Sequence, residues 1–289
     1  MFLGLDLKTW LGLTVIGSFV STLGALFGIL LKDYFFSRSF ERWKQRQTLE
    51  VLYQKYCDPL MLSARELASR TIEIVDSYPT EFLTSGVLVS RPTTQLQNST
   101  EDAYFRRYKL VSSVYRFCAF LGWLELYRQE ITYLHSSSSK RSRDLEHAIR
   151  LIREDLADGQ LNKAADWQSW RDTLVFREEL RAIGESMIEV RGTVRTIMGY
   201  GGFVELFDAE GTSSTQKWAH ILLNFLLDLE VQRRDFRQIR LRRLVIHLVD
   251  LLLLLESNSV EKRLIEAREH CKATSGDSSP VTAGAFSHS

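Results

Sequence analysis

The sequence predicts an all-α protein: an N-terminal transmembrane helix followed by a cytoplasmic bundle of about five or six helices. Three observations carry this. The stretch from Leu11 to Leu31, LGLTVIGSFVSTLGALFGILL, contains no charged residue. No proline lies between Pro92 and Pro280, which suits long helices and not a turn-rich β fold. Beyond the apolar run, hydrophobic residues recur at helical spacing in segment after segment.

The apolar run comes first. At about 1.5 Å per residue, span 11–31 gives roughly 32 Å of helix against a hydrocarbon core of about 30 Å. Trp10 flanks one end and Tyr34, Phe35 and Phe36 the other, where interfacial aromatics belong. A cleaved signal peptide would need a shorter apolar region and a small-x-small site, but Leu23-Gly24-Ala25 begins with a bulky residue. Lys8 precedes the span, and Lys32, Arg38, Arg42, Lys44 and Arg46 follow it. The positive-inside rule then puts the N-terminus outside and the C-terminal domain in the cytoplasm, with the same cations available to anionic headgroups. Gly17, Ser21, Gly24 and Gly28 fall on one helical stripe, where small residues let two helices approach and self-associate.

Residues 1–36 therefore read as a membrane anchor, 37–271 as a helical cytoplasmic domain with a loop over 78–101, and 272–289 as a disordered tail. Leu49, Leu52, Tyr56, Leu60, Leu67, Ile74 and Val75 keep a helical period, which Asp58-Pro59 is expected to kink or break. Pro79, Gly86 and Pro92 mark the loop. Asp102 to Leu134 is rich in aromatics around most of its circumference, which predicts a central, many-sided helix. An aromatic-lined ligand pocket is the sharper alternative. After the serine run at 136–139, helices are expected over about 143–157 and 170–198, with Gly199-Tyr200-Gly201-Gly202 as a turn. The last helical region runs from about Thr215 to Glu256. Its leucine-rich end, Leu244 to Leu255, is too short to cross a membrane and reads as buried core.

Composition bounds the function. Hydrophobic residues make up 45% and charged residues 25%, which excludes wholesale disorder. A net charge of +1 gives no electrostatic basis for nucleic-acid binding. The three cysteines share no CxxC spacing, and no paired histidine motif occurs, so neither a metal nor another cofactor is expected. Two polar sets stand in apolar surroundings. Arg181 and Glu185 are one turn apart, and His247 and Asp250 are three residues apart. Either set can be a buried network that fixes helix register, or a general base or pH sensor. Arg233, Arg234, Arg237 and Arg240 form a second basic cluster, read as a membrane-surface or anion-binding group, or as a solvated junction.

The phrases DPLMLSARELASR, FLGWLELYRQEITYL, FREELRAIGESMI and RRLVIHLVDLLLLLE resemble blocks in uncharacterised bacterial and fungal proteins that have one N-terminal membrane helix and a helical body. The similarity extends over about Tyr56 to Glu256. It implies that architecture and carries over no catalytic residue. The expected function is a membrane-tethered, non-enzymatic interaction or scaffold module with a protein partner, able to self-associate through its membrane helix. The alternatives are a membrane-bound enzyme using Arg181, Glu185, His247 and Asp250 in a pocket, and an oligomerising membrane effector.

Overall fold

The computed structural model describes residues 7–30, 37–76, 80–85, 101–131, 140–157, 173–209, 213–229, 235–256 and 260–274, and within them the chain is predominantly helical. Two compact units are present: residues 1–52 with 134–137, and residues 53–133 with 138–289.

The first unit holds α1 (Leu7–Leu30) and the beginning of α2 (Ser37–Val75). From Trp10 to Ile29 the mean hydropathy is 1.8 and no residue is buried, so α1 is long and apolar enough to cross a membrane. Its hydroxyls turn inward on the helix: Thr14 Oγ1 donates to the Trp10 carbonyl at 3.0 Å and Thr22 Oγ1 to the Ser18 carbonyl at 2.8 Å. Of the expected flanking cations, Lys44 is exposed. Lys32 and the side chains of Arg38, Arg42 and Arg46 lie outside the described set.

The second unit is built around α3 (Glu101–Ile131). Leu110, Val114, Phe117, Phe120, Leu121 and Leu124 are buried on different sides of it, and the expected central position holds. It packs against a short 3-10 turn (Thr80–Leu83), α5 (Arg177–Ser186), α6 (Tyr200–Asp208) and α7 (Ser214–Leu226). From Tyr56 onward α2 belongs to this core. Tyr56 meets the rings of Trp123 and Tyr127, and Lys109 Nζ donates to Glu73 at 2.6 Å. α2 continues through Pro59 without the expected break. Proline removes one backbone donor, but buried Tyr56 and Leu60 on either side are held by tertiary packing. A second layer pairs α4 (Lys140–Ala157) with α8 (Phe236–Leu255), and α9 (Lys262–Thr274) covers α8. Leu244, Leu248, Leu251 and Leu255 are buried, as their pattern predicts.

Eight helices, rather than five or six, lie between residues 37 and 274 among the described residues. Two expected helices are split. Among the described residues of 170–198 only α5 is α-helical, and β1 (Ile188–Arg191) and β2 (Val194–Ile197) form an antiparallel hairpin with Ile188 opposite Ile197. Gly192 turns it with φ +64, a left-handed conformation that glycine adopts without Cβ strain. Six of the ten residues 188–197 are β-branched, a strand signal stronger than the helical period assigned there. Gly199 then caps α6, so the glycine cluster opens a helix. The expected 215–256 helix ends instead at Leu226, with Leu227 as its C-terminal cap. Asp228 sits there with φ 51, its N–H donating 2.7 Å to the Leu83 carbonyl and its carboxylate accepting 3.0 Å from the Ser85 N–H. The tail helix α9 reaches Thr274, beyond the expected start of the tail at 272. The remainder of the tail, and most of the 78–101 loop, fall outside the described residues.

Candidate functional site

Three helical stripes converge in the second unit. On α3, Leu124, Tyr127 and Arg128 follow an i, i+3, i+4 spacing. On α4, Glu146, Ile149, Arg150, Arg153 and Glu154 repeat it over two turns, and on α5 Arg177, Leu180 and Arg181 do the same. That spacing places each set on one helix face. Together they line a cleft of about 470 Å³, within the size range of small-molecule sites.

The floor is apolar. Leu124 and Leu180 are 1% and 3% exposed, and Ile149 and Tyr127 are also buried. The α3–α5 contact beside it is close because position 184 is glycine. A Cβ there would stand 2.6 Å from the Leu121 carbonyl oxygen and 2.8 Å from the Glu125 Cβ.

The walls are cationic. Arg128 holds the buried Glu125 with two bonds, Nε to Oε2 at 2.8 Å and a terminal nitrogen to Oε1 at 2.5 Å, and Gln129 adds a third at 2.9 Å. Burial pushes the Glu125 pKa up, but these bonds and the charges of Arg128 and Arg153 outweigh it and hold the carboxyl below its usual value. Arg150 is 2.8 Å from His147 Nδ1 and 3.6 Å from Glu154. Among the described residues, no hydrogen bond or ion pair neutralises Arg153, Arg177 or Arg181. Arg153 is half-buried. Its pKa is lowered first by burial, and then by the guanidiniums of Arg181 and Arg128, with Glu125 opposing. It remains protonated at any physiological pH. Among the described residues, the lining includes no cysteine, serine, threonine or histidine. The arrangement can hold an anion, with the Tyr127 phenol as the one hydroxyl among the described lining residues.

The residues singled out from sequence are dispersed. Arg181 lines the cleft. Glu185 is exposed outside the lining and makes no ion pair with Arg181 among the described residues. His247 and Asp250, expected as a pair, each find another partner. His247 Nδ1 lies 2.5 Å from Asp155 Oδ2, and Asp250 accepts from Arg268 of α9 at 2.5 Å. An i, i+3 pair on α8 gives way because the two side chains face different neighbours, α4 and α9. Asp155 is fully buried and also accepts from Arg243 Nε at 3.2 Å. Burial holds its pKa above the usual value, with His247 and Arg243 opposing in part.

The second basic cluster is not a surface where it is described. Arg237 and Arg240 are 6% and 2% exposed. Arg237 binds Asp235 and donates to the carbonyls of Phe225, Leu227 and Asp228, closing the end of α7. Arg240 donates 3.0 Å to the Asp155 carbonyl and lies over the Phe236 ring. Membrane-surface binding by these two is therefore set aside: their charges are consumed inside the fold. Arg233 and Arg234 lie outside the described residues. Gly17, Ser21, Gly24 and Gly28 are exposed on α1, and a Cβ on any of the three glycines would meet nothing within 4 Å.

Arg128, Arg150, Arg153 and Arg177 were missed as site residues by sequence. Arg150 with Arg153, and Arg177 with Arg181, carry a local signal in their helical spacing, but solvated surface helices show the same spacing. No protein-family model, curated protein or solved structure matches this chain.

Proposed function

We propose that this chain is a single-pass membrane protein whose helical body lies in the cytoplasm and acts by binding a partner rather than by catalysis. The supporting observation is α1. Every residue from Trp10 to Ile29 is exposed, although they have the mean hydropathy of a membrane segment. Exposing so long an apolar helix to water is unfavourable by about 25 cal/mol per Å², and a bilayer removes that cost. Thr14 and Thr22 satisfy their own hydroxyls on helix carbonyls, as a helix in hydrocarbon requires. The excess of cations after the span favours a cytoplasmic body. The open glycine stripe at Gly17, Gly24 and Gly28 favours self-association through the same helix. Binding is preferred over catalysis because His247 and Asp250, the pair a general base would need, are tied to separate tertiary partners, Asp155 and Arg268.

Alkaline carbonate extraction of native membranes tests the anchor. The protein is expected in the pellet, with its body protected from protease outside intact cells. Recovery in the supernatant would remove the membrane reading, and cleavage of the body from outside would reverse the topology. Replacing Gly24 and Gly28 with isoleucine is expected to abolish crosslinking between copies. Unchanged crosslinking would exclude the stripe.

A further inference from the structure

Several buried or partly buried guanidiniums of the second unit are matched to carboxylates: Arg70 to Glu73 at 2.7 Å, Arg237 to Asp235 at 2.8 Å, Arg268 to Asp250 at 2.5 Å. The cleft between α3, α4 and α5 gathers more guanidiniums than carboxylates. Five guanidiniums face the carboxylates of Glu146 and Glu154, and Glu125 below the floor is taken by Arg128. Those eight side chains carry an excess of two positive charges. Three of them, Arg153, Arg177 and Arg181, meet no carboxylate at ion-pair distance among the described residues. Holding like charges together over an apolar floor is unfavourable unless an anion enters.

We propose that this cleft binds an organic phosphate monoester, with its phosphate on Arg153, Arg177 and Arg181 and its apolar group on Leu124, Ile149 and Leu180. A carboxylate is satisfied by one bidentate guanidinium, whereas a phosphate presents oxygens to several. Its charge of about −1.5 to −2 at neutral pH matches the cationic excess. The apolar floor would contribute nothing to inorganic phosphate, so it selects an ester carrying a hydrophobic group. The inference does not depend on the membrane reading, because every lining residue belongs to the second unit.

The test is calorimetric titration of the purified full chain in dodecyl maltoside, which has no charged group. Phenyl phosphate is the probe, and inorganic phosphate is the comparison. Phenyl phosphate is expected to bind at one saturable site, and more tightly than inorganic phosphate. Arg177→Gln and Arg181→Gln alter exposed side chains and should melt like the wild type. Each is expected to weaken phenyl phosphate by about tenfold or more, the range for losing one charge-assisted bond. Absence of saturable binding, or unchanged affinity in both variants, would overturn the proposal. Equal affinity for the two phosphates would overturn the role of the apolar floor. Phosphatidic acid in mixed micelles distinguishes the sources of the ligand. Competition with phenyl phosphate identifies a lipid headgroup, and lack of competition identifies a soluble ester.

Discussion

His247 Nδ1 and Asp155 Oδ2 stand 2.5 Å apart, joining α8 to α4 across 92 residues of sequence. Asp155 is fully buried and His247 only slightly exposed, so the pair is part of the layer between the two helices. Truncating one member leaves the other in a desolvated site. His247→Ala is expected to cost about 1–3 kcal/mol. Replacing both with leucine should recover part of that loss, because the buried carboxylate is gone and Arg243, its other partner, is partly exposed and can turn to water. Denaturant melts of the single and double variants check this. A His247→Ala protein as stable as the wild type would show that the contact contributes nothing to the fold.

The arginines divide into two kinds, and stability measurements should separate them. Arg237 is buried against Asp235 and three carbonyls. Arg237→Ala removes the guanidinium from a buried carboxylate and three carbonyls, and is expected to cost about 3–5 kcal/mol. Arg181 is exposed, and Arg181→Gln should change stability by no more than about 0.5 kcal/mol. Similar losses in both would mean that the cleft wall is structural.

The Glu125 carboxyl has a pKa below its usual 4.5. A depressed carboxylate contributes stability that is present above the unfolded value and lost as pH falls through the folded one. Wild type should therefore exceed Glu125→Gln in stability at pH 7, with the gap closing below about pH 4.5 as the carboxyl protonates. Melting both proteins from pH 3 to 7 measures the gap. A gap that widens toward acid would reverse the assignment.

Gly184 allows α5 to lie against α3. An alanine methyl would meet the Leu121 backbone, which cannot rotate away as a side chain would. Gly184→Ala is expected to destabilise by about 1–3 kcal/mol through overpacking, despite the better helix propensity of alanine. It should also shift the near-ultraviolet signal of the aromatic residues on α3. A gain in stability on chemical denaturation would show that α3 and α5 can separate freely.

Whatever depends on neighbouring residues was legible in the sequence alone. The uncharged run before Leu31 determines an apolar helix of membrane length, and the period of Leu244, Leu248 and Leu251 determines a buried face. The aromatics of α3 mark a helix surrounded by others, because apolar side chains on several faces need several partners. The hairpin at 188–197 was also written locally, in its β-branched residues and Gly192, but was outweighed by the flanking helical pattern. Partnership was decided only in the tertiary structure. Nothing near His247 in the sequence indicates Asp155, and the i, i+3 spacing to Asp250 suggests the wrong neighbour. Arg181 and Arg237 look alike in sequence, yet one stands at an open cleft and the other seals the end of a helix. The reason is physical: periodicity reports which face of a helix is apolar, whereas pairing and desolvation of a charge depend on what another segment places opposite it.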